Sequence, residues 1–341
     1  MARRHVRWLV PLAAALVAGA VVAAVSFGGS ERSRASQVKP PPGALALQQA
    51  IVAVVHTLSP SVVQIQSAQG LGSGIVFDAK GDIVTNNHVV AGGGPYTVTT
   101  SAGKRYPAKL VGSFPPDDLA VVKVDGAGLR PATFANSSKL EVGDLAIAIG
   151  NPLGLRSSVT DGIVSAFRQG ISEGNGVALP TMIQTSAAIN PGNSGGALAD
   201  LEGRVIGIPT LAATDPQLGG GTAPGIGFAI PSNLVRDIAS QIVQHGHVVD
   251  SHRAYLGIQA GDTGQGVYVG SVEAGGPAAS AGLKAGDVIT SIAGHPTPTL
   301  DELTSVLAQL KPGRIVAVKI VLQTGSTTTL RVRLGTYPTG G

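Results

Sequence analysis

Three residues of the chain have the types and local sequences needed for acyl-transfer chemistry. They are His88 within TNNHVV, Asp118 at the start of DLAVVK, and Ser194 within GNSGG. A serine hydroxyl is a weak nucleophile that needs a base within hydrogen-bond reach, and histidine serves because its pKa lies near neutrality. A buried carboxylate then fixes the histidine tautomer and stabilises the imidazolium. Together the three residues predict a hydrolytic triad in the chain order His, Asp, Ser.

The glycines around the serine predict an oxyanion hole. Glycine tolerates backbone angles that other residues resist, so a tight turn here aims two amides at one point. We expect those amides to belong to Gly192 and Ser194. Each segment alone has a plainer interpretation: a lone histidine after a strand is more often structural, an aspartate that opens a strand often caps a turn, and a glycine run is often only a turn.

Composition restricts the fold and excludes several classes of site. The 341 residues suit two domains plus extra segments, with 43% hydrophobic and 13% charged residues. The 48 glycines and 22 prolines favour a mainly β fold. Cysteine is absent, which excludes disulfides, a thiolate nucleophile, a cysteine-bound zinc and a lipoprotein anchor. The histidines lack metal-ligand spacing, so we expect no metal and no cofactor.

The N-terminus predicts a membrane segment. Residues 1–7 form a basic tail with three arginines, and residues 8–27 are apolar and uncharged, long enough to cross a bilayer. The arginines place this end in the cytoplasm and the rest of the chain outside. The residues AVS at 24–26 leave open a cleaved signal peptide instead of a permanent anchor. Most of the net charge of +4 lies in the tail, so we expect no nucleic-acid partner.

The remaining chain divides into a tether, a β-rich unit and a smaller α/β unit. Residues 28–44 contain PPP and predict an extended tether, and residues 45–247 form the first unit. That unit begins with a helix over 45–58 and continues as short strands broken by turn residues, which indicates a barrel or sandwich. It ends in an amphipathic helix that Ser232 is expected to cap. Residues 253–337 alternate five strands with two helices.

The first unit resembles the HtrA/Deg family of trypsin-like serine proteases. Besides the triad segments, the matching motifs are GSG, IGNP, QT, GAL and GIGFAIP, at residues 72–74, 149–152, 184–185, 196–198 and 225–231. The resemblance implies a double six-stranded barrel with the active site between the barrels. It also implies ATP-independent cleavage of misfolded or signal-bearing proteins, and a homotrimer held near the start of the protease domain. Asp117 and Asp118 both precede the strand, and the residue adjacent to Leu119 matches the acid of the family.

The resemblance also implies a substrate pocket. Ile189 and Asn190 would border the pocket for the side chain before the scissile bond, with Gly225, Ile226 and Gly227 forming an edge that pairs with substrate. Residues 187–191 contain no aspartate, so cleavage after small aliphatic residues is expected rather than after lysine or arginine. Residues 170–176 and 211–224 are predicted to be glycine-rich loops that switch the oxyanion turn.

The second unit resembles a bacterial PDZ domain. The segments YLGI at 255–258, GPAASAGL at 276–283 and GDVI at 286–289 match its signature. The resemblance implies that an extended C-terminus pairs with this edge, its carboxylate held by backbone amides. The peptide-binding residues would be Tyr255, Leu256, Gly257 and Ile258, with Leu303, Val306 and Leu307 of the second helix. The alternative is that these helix residues fill the core of the module.

Two function classes follow from these observations. The first is an anchored serine endoprotease outside the cytoplasmic membrane, with peptide C-termini and unfolded proteins as partners. The second is a catalytically silent chaperone or scaffold that binds peptides through the PDZ domain. The intact triad and oxyanion turn favour the protease.

Overall fold

The computed structural model describes residues 41–68, 70–126, 128–151, 158–172, 178–190, 192–215 and 221–339. The predicted basic tail, the anchor at residues 8–27 and nearly all of the tether lie outside these ranges. The first described element is the helix that precedes the first barrel.

Six antiparallel strands close the first barrel. They are β1 (Val62–Gln66), β2 (Leu71–Val76), β3 (Asp82–Thr85), β4 (Tyr96–Thr99), β5 (Arg105–Phe114) and β6 (Leu119–Lys123). Their spatial order is β1-β2-β3-β6-β5-β4, closed by the pairing of β1 with β4. A short helix, α2 (Asn87–Val90), follows β3 and carries His88.

A second barrel of six strands follows along the chain. It consists of β7 (Leu145–Gly150), β8 (Ser158–Ser172), β9 (Ala178–Thr185), β10 (Ala197–Ala199), β11 (Val205–Asp215) and β12 (Gly221–Pro231). The order is β10-β11-β12-β9-β8-β7, and β10 pairs with β7 to complete the closure. The two barrels confirm the expected mainly β fold.

Alternation of side chains along the strands builds two barrel cores and a third core between them. Val63 and Ile65 of β1 fill the first barrel, while their neighbour Val62 packs into the cluster shared with the second barrel. In β7, Ala148 lies inside the second barrel and Ile147 belongs to the shared cluster. Successive residues of a strand point to opposite faces, so both faces of these strands are buried. This shared core fixes the two barrels together.

Two helices pack on the outside of the barrels. The helix α1 (Pro42–Leu58) begins inside the predicted tether, and its residues Val54 and Leu58 are buried in the shared core. By length and composition the helical stretch Pro42–Ser61 is apolar enough to span a membrane, although its last turns pack on protein. The helix α3 (Ser232–His245) buries Val235 and Ile238 in the same core, as its spacing predicts.

Two expectations about this unit are wrong. Ser232 does not cap α3, because Pro231 holds the cap position and the Ser232 hydroxyl donates instead to the Ala135 carbonyl at 2.9 Å. The predicted loop at residues 211–224 is largely strand, since β11 continues to Asp215 and β12 begins at Gly221. Pairing between the long strands of a hairpin overrides the local preference of glycine and proline for loops.

A six-stranded sheet, a separate two-stranded sheet and two helices form the C-terminal module. Its strands are β13 (Ala254–Tyr255), β14 (Ile258–Asp262), β15 (Val267–Val272), β16 (Val288–Ile292), β17 (His295–Pro296), β18 (Ile315–Val321), β19 (Thr327–Arg333) and β20 (Gly335–Thr336). The helices are α4 (Pro277–Ser280) and α5 (Leu300–Ala308). The Thr299 side chain accepts a hydrogen bond from the Glu302 amide, so the predicted cap of α5 is present.

The module contacts the barrels directly. Arg253 donates to Asp117 at 2.6 Å and to the Ala178 carbonyl at 2.6 Å. The ring of Tyr337 packs edge-on against Phe114 at the end of β5. The start and the end of the C-terminal module are therefore both in ordered contact with the barrels.

Candidate active site

A histidine and a carboxylate meet at the junction of the barrels. The Asp118 carboxylate accepts from the His88 amide at 2.9 Å and lies 2.8 Å from His88 Nδ1. The Asp118 side chain is 4% exposed, whereas that of His88 is 48% exposed. Two contacts from one carboxylate set the orientation of the imidazole relative to its own backbone. The buried acid and the accessible ring are the arrangement that a general base requires.

Local backbone geometry and a threonine hold the carboxylate in place. Asp118 adopts a left-handed conformation with φ 49°, which aspartate tolerates better than most residues. Its carbonyl accepts from the Asn86 side chain at 2.9 Å and from the Asn87 amide at 3.1 Å. The Thr210 hydroxyl donates to Asp118 Oδ2. The acid is thus fixed from both barrels.

The neighbouring aspartate points into a different environment. Asp117 is fully buried and pairs with Arg253, while Asp118 is the one that contacts His88. Burial raises the pKa of the Asp117 carboxyl above its ordinary value, against the opposing charge of Arg253. The structure therefore separates the two carboxylates that the sequence places side by side.

Ser194 lies on a turn beside the same threonine. Its hydroxyl donates to the Thr210 carbonyl at 3.4 Å, and the Thr210 side chain reaches Asp118. One residue of β11 thereby links Ser194 to the carboxylate that orients His88. Sequence reasoning missed Thr210, because it lies inside a strand and outside every motif that the sequence contains.

The turn around Ser194 requires glycine at two positions. Gly192 has φ +101° and Gly195 has φ +79°. A Cβ on Gly195 would lie 2.2 Å from the Ser73 carbonyl oxygen, so only glycine fits there. Within the described residues, the amides of Gly192 and Ser194 donate to no protein acceptor. Two adjacent donors without a partner are what an oxyanion hole offers.

The predicted pocket residues surround the turn. Ile189 is buried, and its side chain packs against Gly227, where an added Cβ would meet Ile189 Cγ1 at 2.4 Å. Asn190 is exposed, and its carbonyl accepts from the Asn193 amide at 3.0 Å. Ile226 is half-exposed. Gly225 has φ +73° in β12.

The prediction that residues 225–227 form a free strand edge for substrate is wrong at Gly227. This residue pairs with Thr185 of β9 on one side and with Ala212 of β11 on the other. Its backbone groups therefore lie inside the sheet. By contrast, the pairing of β11 with β10 ends at Gly207. Within the described residues, no strand pairs with the β10 side of β11 beyond Thr210. That edge runs beside Ser194.

Most of the predicted peptide-binding residues line a cavity of about 240 Å³ in the C-terminal module. Leu256 and Leu303 are at most 2% exposed, so they also belong to the core of the module. Val306 and Leu307 both pack on that core, but only Leu307 also lines the cavity. The cavity-lining residues of α5 follow one face of the helix, and Val306 lies at the margin of that face. The lining comprises Tyr255, Leu256, Gly257, Ile258, Leu303 and Leu307, together with Pro116 and Ala178 of the barrels and others.

The loop at one end of the cavity contains a glycine in the left-handed backbone region. Gly257 has φ +76°, and within the described residues the amides of Leu256 and Gly257 donate to no protein acceptor. Burial, followed by the neighbouring Glu273 carboxylate, raises the pKa of the Tyr255 hydroxyl. The hydroxyl therefore stays protonated at neutral pH. The cavity combines apolar walls with adjacent amide donors, which suits an anionic end group.

Two family models match the chain. The model of the trypsin-like peptidase domain matches residues 72–208, and that of the PDZ domain matches residues 254–334. The first match includes His88, Asp118 and Ser194, and the second includes the cavity loop and α5.

Curated relatives match over most of the chain. The periplasmic pH-dependent serine endoprotease DegQ of Escherichia coli (strain K12) is 41% identical over 286 residues, which cover 80% of this chain and 60% of DegQ. The serine protease PepD of Mycobacterium tuberculosis (strain H37Rv) is 38% identical over 321 residues, which cover 86% of this chain and 67% of PepD. The chain thus spans about 60% of the length of the first of these relatives.

Solved structures match the fold over nearly their whole length. The HtrA-type protease AlgW with decapeptide has a TM-score of 0.59 and 32% identity, with coverage of 84% of this chain and 99% of AlgW. A serine endoprotease from Yersinia pestis has a TM-score of 0.58 and 32% identity, with coverage of 84% and 98%. The chain belongs to the HtrA family of trypsin-like serine proteases with a C-terminal PDZ domain.

Proposed function

We propose that the chain is an ATP-independent serine endopeptidase that cleaves misfolded or signal-bearing proteins with His88, Asp118 and Ser194. One observation carries the proposal: the Asp118 carboxylate lies 2.8 Å from His88 Nδ1, and Thr210 bonds to both Asp118 and Ser194. These contacts connect the three residues across the two barrels. Its chemistry needs neither metal nor cofactor.

The proposed reaction uses each group at one atom. With Nδ1 held by Asp118, the imidazole carries its proton there, and Nε2 is the basic nitrogen. Nε2 takes the hydroxyl proton as Ser194 Oγ attacks the peptide carbonyl, and later gives that proton to the leaving amine. The Gly192 and Ser194 amides donate to the oxygen that becomes negative. Water then repeats the sequence on the acyl-enzyme.

The proposed pocket accepts a small aliphatic side chain before the scissile bond. The contact between Ile189 and Gly227 gives it an apolar wall. Asn190, Gly225 and Ile226 complete the proposed lining. The unpaired side of β11 beyond Thr210 replaces Gly227 in the proposed edge on which an extended substrate adds a strand.

The PDZ domain is proposed to bind peptide C-termini. The carboxylate would accept from the amides of Leu256 and Gly257, while the terminal side chain would enter the cavity beside Leu303 and Leu307. Val306 is left out of this proposal because it does not line the cavity.

The cellular arrangement is also a proposal. Residues 8–27 would anchor the chain in the cytoplasmic membrane, with residues 45–247 and 253–337 as protease and PDZ domains outside it. The name of the DegQ relative as a periplasmic protease supports this side of the membrane. A homotrimer held near the start of the protease domain is proposed from the family resemblance. Membrane fractionation and the mass of the mature chain test the anchor, and a mature chain that starts near residue 26 would refute it.

Digestion of an unfolded protein without ATP tests the function. Wild-type protein should produce new C-termini rich in small aliphatic residues, read by mass spectrometry, and Ser194→Ala should produce none. If wild type suppresses aggregation of the same protein without cutting it, the chaperone alternative replaces the protease.

A further inference from the structure

We infer that Ser73, a residue of the first barrel, positions the oxyanion hole formed by Gly192 and Ser194 of the second barrel. The inference rests on the proposed function and adds a positioning residue to it. Ser73 lies in β2 and is fully buried. It touches none of the atoms proposed to react.

The Ser73 hydroxyl connects the two ends of the site. It donates to the Gly192 carbonyl at 2.5 Å and accepts from the Asn151 amide at 2.8 Å. Asn151 directly follows β7 and is buried. A hydroxyl has one proton, and because the Asn151 amide is itself a donor, that proton goes to Gly192. The direction of both hydrogen bonds is therefore fixed.

The Ser73 backbone holds the other side of the same turn. Its amide donates to the Ser194 carbonyl at 2.9 Å, and its carbonyl accepts from the Thr85 hydroxyl at 2.6 Å. The Gly195 Cα lies so close to this carbonyl that a Cβ would approach within 2.2 Å. Every polar group of Ser73 is thus engaged, and two of them bind the turn on either side of Asn193.

These contacts fix the two peptide groups that flank the proposed donors. Gly192 has no Cβ and φ +101°, so its own conformational preferences restrain the turn weakly. The hydrogen bond to its carbonyl restrains ψ of Gly192 and the peptide between residues 192 and 193, and the bond to the Ser194 carbonyl restrains the peptide between residues 194 and 195. The Ser194 amide lies between these two peptides and the Gly192 amide directly precedes the first, so each proposed donor adjoins a restrained peptide. Preorganised donors stabilise a developing oxyanion because they need no reorganisation during the reaction.

A matched control separates this role from ordinary buried hydrogen bonding. Ser232 is also fully buried and donates to a backbone carbonyl, that of Ala135, at 2.9 Å. It lies at the start of α3, outside the proposed site. Ser73→Ala and Ser232→Ala therefore each remove one buried hydroxyl that bonds to the backbone, and only the first touches the turn.

Steady-state cleavage of a peptide substrate by the full chain tests the inference. Ser73→Ala should lower kcat by about 10- to 100-fold with KM changed less than about 2-fold, since an oxyanion donor acts mainly in the transition state. The inhibition constant of a matching peptide boronate, whose adduct bears the oxyanion, should rise by the same factor. Ser232→Ala should leave all three values near wild type.

Hydrogen exchange gives a readout that does not need activity. The hydrogen-bonded amides of the turn, those of Asn193, Gly195 and Gly196, should exchange faster in Ser73→Ala and at the wild-type rate in Ser232→Ala. Equal kinetics and equal exchange in the two variants would overturn the role of Ser73, while Ser194→Ala still decides the proposed function. If wild type itself is inactive, the proposed function falls, and exchange alone decides Ser73. If Ser73→Ala does not fold, Ser73→Cys, which keeps the side-chain volume, should show the same shifts in the same direction.

Discussion

Arg253 donates to Asp117 at 2.6 Å, and the next residue along the chain, Asp118, orients His88. The first residue of the PDZ match lies one residue after Arg253, so this ion pair ties the start of that domain to the segment that carries the proposed acid. The Asp117 side chain is fully buried and that of Arg253 is 12% exposed. Removal of one partner would leave the other charge without compensation in a buried site.

Asp117 should make stability depend on pH. Burial raises its pKa above 3.8, the value of a solvated aspartate. Below 3.8 the carboxyl is protonated in the folded and unfolded chain alike. As the pH rises, Asp117 ionises first in the unfolded chain. The free energy of unfolding therefore falls until the pH passes the raised pKa of the Asp117 carboxyl in the folded chain. The free energy of unfolding of wild type should therefore fall relative to that of Asp117→Asn, which cannot titrate. Urea unfolding of both proteins in a pH series measures this difference. If the free energy of unfolding of wild type instead rises with pH relative to that of Asp117→Asn, the charge of Arg253 outweighs burial in its effect on the pKa of Asp117.

Thr210→Val should impair catalysis without loss of the fold. Valine keeps the shape of threonine but removes the donor to Asp118 Oδ2. A hydrogen bond to a charged group contributes roughly 1.5–3 kcal/mol, so we expect kcat/KM to fall at least about 10-fold. Thr297→Val is the control, because within the described residues that buried hydroxyl has no partner. Equal activity of the two variants would remove Thr210 from the site.

Gly227→Ala should narrow the pocket before the scissile bond. The added methyl would lie 2.4 Å from Ile189 Cγ1, so Ile189 must move. Overpacking of this kind costs about 1–3 kcal/mol. We expect kcat/KM to fall further for substrates with valine than for those with alanine before the scissile bond. Gly43→Ala, in α1 with no atom within 4 Å of the new methyl, should change neither. A uniform loss for both substrates would argue against a pocket at this place.

Leu307→Ala should weaken binding of peptides with a free C-terminus. Leu307 lines the same cavity as Gly257, and we expect truncation of this anchor side chain to cost about 1.4 kcal/mol, which is about 10-fold in Kd. Val306→Ala, one residue away on α5, should leave the Kd unchanged because Val306 does not line the cavity. Fluorescence anisotropy measures both, with an amidated peptide as the non-binding reference. A larger effect at Val306 than at Leu307 would reverse the assignment of the helix faces.

Contiguous motifs explain why much of the site was predictable from sequence. His88 and Ser194 lie in short segments whose local chemistry identifies them, and hydrophobic alternation and turn residues indicate the barrel strands. Thr210 was not predictable, because it reaches Asp118 only once β11 lies beside the turn. The edge at Gly227 was mistaken since pairing on both sides of β12 is non-local. The choice between Val306 and Leu307 depended on which of them lines the cavity, which periodicity alone leaves open.

Covalent labelling by a fluorophosphonate probe tests the central claim most directly. The probe reacts with a serine only when a base activates the hydroxyl and donors bind the phosphonyl oxygen. Wild type should be labelled at Ser194, Ser194→Ala should not be labelled, and Asp118→Asn should be labelled far more slowly. A wild-type protein that remains unlabelled in the presence of a peptide ligand for the PDZ domain would contradict the triad, as would labelling that persists in Ser194→Ala.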